Sequence, residues 1–521
     1  MTARLAIRPV AIPWRVLGLV TLVMGWELLA RAHAESYILA GPLAVLTHLT
    51  GNAGLLLRAT IITLENAAWG FLWGNLSAIG LAVLIVLMPR LERLVAALAL
   101  LVFCLPLVAT GPILRVLFGT GDGPQITLAA LAVYYTTFLA LMVGLRAVPQ
   151  SWLDLVRTHG RGAGAQLIHV RAAASVPYLI AGLQIAAPAA FLGAMIGEFT
   201  GAERGLGVLS IRAMRGLDVD ATWAIATLAA AVSIAAYGIL GWLGQRVAGA
   251  PPALLLSSPH QTRPQPPWQR AAMPAAILIL PILLWQIGMD AFGLNPFFAK
   301  RPGDILTFFL TDCPARAALI QAFAETLIFT LPGYLGGLAL GAALACTIIL
   351  LPGLATTVLP IAVALRSVPI VTTAPLLVLA FGRGAVGTIA IVVVMIFFPT
   401  LVACLQGLRQ TPGQVIDIFD SYASGRLRLL IMARLPAMLP AFFAAARMGV
   451  PAAILAVTTA EWLATGNGLG SLMALTASTS DYNTLWAAIV LVAGTAALAY
   501  AAVAWVEQAV LRVYAAEQVA R

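Results

Sequence analysis

The chain has 521 residues, 61% of them hydrophobic and only 10% charged, with a mean hydropathy of +0.97. Soluble domains carry about 25% charged residues, so a water-soluble globule, and with it a cytosolic enzyme, is excluded. The formal charge of +10 would raise nucleic-acid binding in a soluble protein. Here the arginines sit in short segments between apolar runs, which is the pattern of a polytopic membrane protein in contact with lipid, and no nucleic-acid partner is implied.

In chain order, Arg4, Arg8 and Arg15 precede the first apolar stretch, and Ala32-His33-Ala34 resembles a signal-peptide cleavage site. Trp26-Glu27 inside that stretch, and its repetition later in the chain, favour a retained first helix. Six hydrophobic helices are expected near 14–32, 60–88, 93–118, 125–146, 174–198 and 221–244. Six more are expected near 272–290, 324–351, 355–381, 386–407, 437–461 and 483–508. Between the sets lies a Pro-, Ser- and Gln-rich stretch with the composition of a linker. The expected organisation is a first unit over 1–248, a linker over 249–270 and a second unit over 271–521. Cys104, Cys346 and Cys404 lie in apolar runs and Cys313 stands alone, so neither metal spacing nor a disulfide is implied.

The two units are a tandem repeat at a constant shift of 263 positions, which carries Thr63 onto Thr326. Gly70, Gly74, Pro89, Pro106 and Pro112 meet Gly333, Gly337, Pro352, Pro369 and Pro375. Further on, Pro177, Pro188, Glu198, Gly205, Gly207 and Asp218 meet Pro440, Pro451, Glu461, Gly468, Gly470 and Asp481. Apolar bias could align leucines but not this series of prolines, glycines and acids. Six spans per copy is an even number, so the copies are expected to share one orientation as a parallel repeat. With the N-terminus inside, 18 of the 30 basic residues fall on the cytoplasmic side and nine on the outer side. That bias places both termini and the linker in the cytoplasm.

The loop after the fourth helix of each copy carries the most specific pattern. In the first copy it runs from Asp154 through Arg157, Gly160 and Arg161 to Val170-Arg171-Ala172-Ala173. In the second, Asp417 holds the acid and Leu435-Pro436 closes the loop, with Ala423 where the first copy has Gly160. This resembles the loop of binding-protein-dependent ABC importer permeases, in which a surface helix inserts into a cytoplasmic ATPase. A glycine after such a helix supplies the left-handed backbone that turns the chain. The stretches from Pro106 to Gly121 and Pro369 to Gly384 resemble the nitrate/sulfonate/taurine class of these permeases. So do Glu198-Phe-Thr-Gly201 with Gly205 and Gly207, and Glu461-Trp-Leu-Ala with Gly468 and Gly470.

The resemblance covers both halves and implies an all-α, type I importer permease fold of about twelve membrane helices. Family members are mostly single copies that pair as dimers, so this chain looks like a fused pair. It further implies two cytoplasmic ATP-binding subunits, docked on 150–172 and 413–435, and an extracytoplasmic solute-binding protein delivering to 199–220 and 462–482. The solute it implies is a small anion such as nitrate, sulfonate or taurine, with a pyrimidine-type vitamin precursor as the alternative. The chain itself has no Walker A lysine, since its only lysine is Lys300. It is therefore read as a transport subunit with no cofactor of its own, ATP being bound by the partners. No HExxH helix or histidine cluster suggests a metal, and no GxSxG elbow suggests a hydrolase.

Ionisable residues within spans mark functional sites by default. Arg115, Arg366, Arg447 and Glu65 are such charges, and each faces an uncharged residue in the other copy. They are candidates for the translocation path, with Gln184 opposite Arg447. The plainer reading has Arg366 or Arg447 pair with Glu65, Glu198 or Glu461, or cap backbone carbonyls at a kink near Pro369. Pro106 and Pro369 interrupt their helices and are candidate gate kinks. Glu198 and Glu461, near the outer ends of the fifth helices, are candidates to face the pore or a docking protein, with a solvated outer face as the simpler expectation. A secondary transporter is the rival class; it would place coupling carboxylates at mid-membrane, where only Glu65 is available.

Overall fold

A computed structural model describes residues 14–32, 39–119, 121–248, 267–355 and 384–514, together with Val358, Leu377, Phe381 and Gly382. Among them every regular element is helical. In hydrocarbon each backbone N–H and C=O must be satisfied within the segment, and these Leu-, Ala- and Gly-rich runs meet that demand as helices. The first copy comprises α1 (Trp14–Ala32), α2 (Pro42–Gly51), α3 (Ala53–Leu87), α4 (Glu92–Phe103), α5 (Leu107–Phe118), α6 (Gly123–Arg146) and α7 (Gln150–Thr158). It continues with α8 (Ala163–Phe199), α9 (Leu206–Arg215) and α10 (Val219–Ala248). The second comprises α11 (Pro267–Ala291), α12 (Pro302–Thr311), α13 (Cys313–Leu350), α14 (Ala385–Arg409) and α15 (Gly413–Ser421). It ends with α16 (Arg426–Leu463), α17 (Gly468–Ser478) and α18 (Tyr482–Tyr514).

The 263-position shift recurs in the element bounds. Leu87 and Leu350 end α3 and α13, while Gln150–Thr158 maps onto Gly413–Ser421. A π-turn over Leu167–Arg171 in α8 recurs over Leu430–Arg434 in α16. The aligned glycines have a packing role. A Cβ on Gly70 would lie 2.3 Å from Cβ of Ala129, and one on Gly333 would lie 2.6 Å from Cβ of Val392. Gly74 and Gly337 repeat the contact one turn on. Small residues along α3 and α13 thus let α6 and α14 approach closely, as membrane helices require where no hydrophobic drive exists between them.

Eight described helices are long and apolar enough to cross a membrane, or nine if a bent pair counts as one span. The expectation of about twelve goes beyond this. In α11 the apolar part, Ala275–Ala291, is shorter than a span, and most of the third segment of copy two lies outside the described residues. The single helix expected over 93–118 is two, α4 and α5, meeting at 90°. The short helices α2, α9, α12 and α17 lie outside the expected spans, and α11 begins at Pro267, inside the expected linker.

The copies are not independent globules. One core cluster joins Val108, Leu128 and Ile196 to Tyr334, Ile391, Ile396, Val450 and Val457. Another packs Ala109 and Ile113 of α5 with Leu469, Leu485 and Ile489 of the second copy. The bent pair α4–α5 therefore lies against α16, α17 and α18.

Candidate functional site

The loop helix α7 is amphipathic. Leu153 is buried, and its carbonyl accepts from Nε2 of Gln166 at 3.0 Å, which fastens the helix to the start of α8. On its other face Trp152 and Leu155 are exposed, at 62% and 60%. Asp154 and Arg157 pair at 3.1 Å on the surface, an arrangement worth little in water. Gly160 has φ +71, and its N–H donates to the Arg157 carbonyl while that of Arg161 donates to Val156. These two bonds form a Schellman helix stop.

In the second copy Ala423 occupies the same position with φ +48, a backbone that alanine rarely adopts. Its N–H donates to Asp420, and that of Ser424 to Phe419. Replacing the glycine has therefore kept the turn. Ile418 and Tyr422 are exposed on α15 as Trp152 and Leu155 are on α7. Asp417 is also exposed, and Pro436 follows the π-turn in the first turns of α16.

The acids expected on a solvated face are buried instead. Glu198 and Glu461 are 1% and 2% exposed. Glu198 accepts from Oγ1 of Thr63 at 2.7 Å and from the Gly207 N–H at 2.6 Å. Oγ1 of Thr63 also accepts the N–H of Leu206 at 2.9 Å. The second copy repeats each contact: Thr326 and the Gly470 N–H donate to Glu461, and Leu469 donates to Thr326. The carboxylate thus satisfies free N–H groups at the start of α9 or α17, where a helix favours negative charge. Gly205 has φ +126 and Gly468 φ +82; a Cβ on either would lie 2.2 Å from the carboxyl group. These glycines exist to admit the acid. Within segments 199–220 and 462–482, Leu206, Ser210, Leu469 and Met473 are buried, while Leu217 and Leu475 are exposed. Thr63 and Thr326 were visible only as aligned residues; their role emerges from the fold.

The intramembrane charges separate. Arg447 lies 3.0 Å from Glu507 on α18, with side chains 12% and 11% exposed, and not against Glu65, Glu198 or Glu461. Its guanidinium also lies over the Tyr500 ring at 5.9 Å. Tyr500 in turn lies beside Tyr135 of the first copy, and Tyr135 stacks on Phe103. A polar and aromatic cluster therefore crosses the inter-copy boundary. At the equivalent place in copy one, Gln184 donates to the Tyr237 carbonyl at 3.3 Å, and Gly244 stands where copy two has Glu507. Cation and anion are present together in one copy and absent together from the other. Arg115 is half-buried in the last turn of α5, with no ion pair among the described residues. Glu65 is exposed on α3. Pro106 is the N-cap of α5, at the 90° break. Arg366 and Pro369 lie outside the described residues. Among the described residues no group of three or more His, Cys, Asp or Glu could hold a metal.

Two copies built of membrane-length apolar helices meet across this boundary, which is the build of an integral membrane protein. Residues 70–249 and 337–512 each match the family described as binding-protein-dependent transport system inner membrane component, and the chain belongs to that family. It is the membrane permease subunit of an ABC importer, multi-pass in the inner membrane, with two permease domains in one chain; ATP is hydrolysed by partner subunits. Among its relatives, a probable ABC transporter permease protein of Haemophilus influenzae is 32% identical over 226 residues, covering 92% of that protein and 43% of this chain. The formylaminopyrimidine transport permease protein ThiX of Halalkalibacterium halodurans is 27% identical, covering 79% of its length and 39% of this chain. The taurine transport system permease protein TauC of Escherichia coli is 26% identical over 66% of its length and 34% of this chain.

Proposed function

We propose that this chain is a fused permease pair: residues 1–248 and 271–521 act as two like-oriented bundles of about six spans, joined by a cytoplasmic linker, with both termini inside. ATPase subunits dock on α7 and α15, and their closure rocks the bundles about the boundary where Tyr135 meets Tyr500. The observation that carries this reading is the repetition of the loop helix and its Schellman stop in both copies. Each presents apolar side chains that are exposed among the described residues. In the assembled complex Gly160→Pro forces φ to about −65° and removes the Schellman donor. The expected result is a membrane-inserted protein whose partner ATPase is no longer stimulated by loaded binding protein. Unchanged stimulation would remove this loop from the coupling path.

For the solute, the cluster favours a planar, hydrogen-bonding molecule of the pyrimidine-precursor type. Phe103 and Tyr500 are half-buried aromatics at the boundary, and Arg447 is neutralised by Glu507 rather than free to receive an anion. The likeness to the formylaminopyrimidine permease supports the same reading. A small anion such as nitrate, sulfonate or taurine is the second reading, favoured by Arg115 and by the likeness to the taurine permease. Calorimetry of the partner binding protein against an aminopyrimidine and against taurine separates them. Uptake of the aminopyrimidine is expected, and binding of taurine alone would reverse the order.

A further inference from the structure

A cavity of about 470 Å³ lies between α15 and the ends of α13 and α14 in the second copy, lined by Arg409, Arg426 and Arg434 together with Ile348, Ile349 and Leu429. Asp420 lines it too, so three cations against one carboxylate leave a formal charge of +2 on the wall. None of the three arginines has an ion pair among the described residues. Nε of Arg434 is buried without a hydrogen-bond partner, as is Nε of its copy-one counterpart Arg171.

The first copy shows how the same place is closed. There Glu92 pairs with Arg146 at 2.5 Å, and Arg171 donates to the Leu145 carbonyl at 3.0 Å. Shifted by 263 positions, Glu92 becomes Ala355, Arg146 becomes Arg409, Ala163 becomes Arg426 and Arg171 becomes Arg434. Asp420 in turn stands where copy one has Arg157, so each copy sets three arginines against one acid here; in copy one Arg146 and Arg157 are ion-paired, to Glu92 and Asp154, whereas none of the three arginines of copy two is, among the described residues. Arg409 and Arg426 are exposed and Arg434 is half-buried, so the pocket opens outward and presents its unpaired cations to an anion.

We propose that this pocket binds the phosphodiester headgroup of an anionic phospholipid, with the guanidiniums on the phosphate oxygens and the glycerol and upper acyl carbons against Ile348, Ile349 and Leu429. Arginine forks suit phosphate oxygens, and basic pockets between membrane helices on the cytoplasmic side take acidic headgroups. The apolar wall at the end of a span favours a lipid over free phosphate. Because α15 forms one side of the pocket, the bound lipid would steady the second coupling helix but not the first. The inner position of this side rests on the permease reading; lipid binding is measured on the chain alone, so the two fail separately.

The test is native mass spectrometry of the purified full chain with dioleoyl phosphatidylglycerol, dioleoyl phosphatidylcholine or inorganic phosphate. The wild type is expected to prefer phosphatidylglycerol over phosphatidylcholine by about tenfold. Two variants place copy-one residues in the pocket, Arg426→Ala and Ala355→Glu, and a lipid-free melting curve checks that each is folded. Both are expected to lose the preference. Retention of the full preference in both would overturn the site, and displacement of phosphatidylglycerol by millimolar phosphate would overturn the lipid as its occupant.

Discussion

Gly205→Ala probes the buried acid directly. The new Cβ would sit 2.2 Å from Cδ of Glu198, and the residue would be held at φ +126. That backbone region costs a residue other than glycine about 1–3 kcal/mol. The carboxyl cannot withdraw without giving up Thr63 and the Gly207 N–H, and each abandoned buried partner costs about 1–3 kcal/mol. The sum is about 4 kcal/mol or more, while Gly121→Ala, with nothing within 4 Å, should stay within about 0.5 kcal/mol. Tryptophan fluorescence during heating of the detergent-solubilised protein should show a midpoint lowered by about 5 °C or more for Gly205→Ala and unchanged for Gly121→Ala. Removing the acid separates clash from strain: Glu198→Ala with Gly205→Ala should cost clearly less than the two single changes added together. Additive losses, or a Gly205→Ala midpoint equal to wild type, would refute the clamp.

Two further outcomes follow from the repeat. Arg447→Gln alone strands Glu507 and should cost about 3 kcal/mol, as for a broken buried pair, whereas Arg447→Gln with Glu507→Gly copies the Gln184 and Gly244 arrangement and should recover most of the loss. Equal melting points for the single and double variants would show that the pair contributes nothing. Ala423→Gly relieves a left-handed alanine and should protect α15 amides from hydrogen exchange by up to about 1 kcal/mol, while Gly160→Ala should loosen α7. The same sign for both would contradict the shared turn.

Much of this architecture was legible in the sequence because duplication is a pattern that hydrophobic composition cannot imitate. The aligned Gly70 and Gly333 proved to be helix contacts, and helix ends predicted for one copy recur in the other. Gly160 could be read as a left-handed stop; that Ala423 keeps the same turn could not, since the penalty is small enough for surrounding bonds to absorb. The bend at Pro106 was expected as a kink but is a full break, because the α4–α5 angle is fixed by packing against the second copy. Glu198 was misjudged for a physical reason. An acid beside glycines near a span end looks solvated in sequence, and only the fold brings Thr63, 135 residues earlier, to its carboxylate. Glu507 was missed in the same way, lying in the last apolar run with its partner 60 residues upstream in a different helix.

Reconstitution tests the central claim that two bundles in one polypeptide turn partner ATP hydrolysis into solute import. The chain is placed in liposomes with its ATPase subunit and external binding protein, and uptake is followed with and without internal ATP. Uptake is expected only with ATP and both partners present, at a ratio of one chain to two ATPase subunits. Uptake driven by an ion gradient through the chain alone would contradict the account.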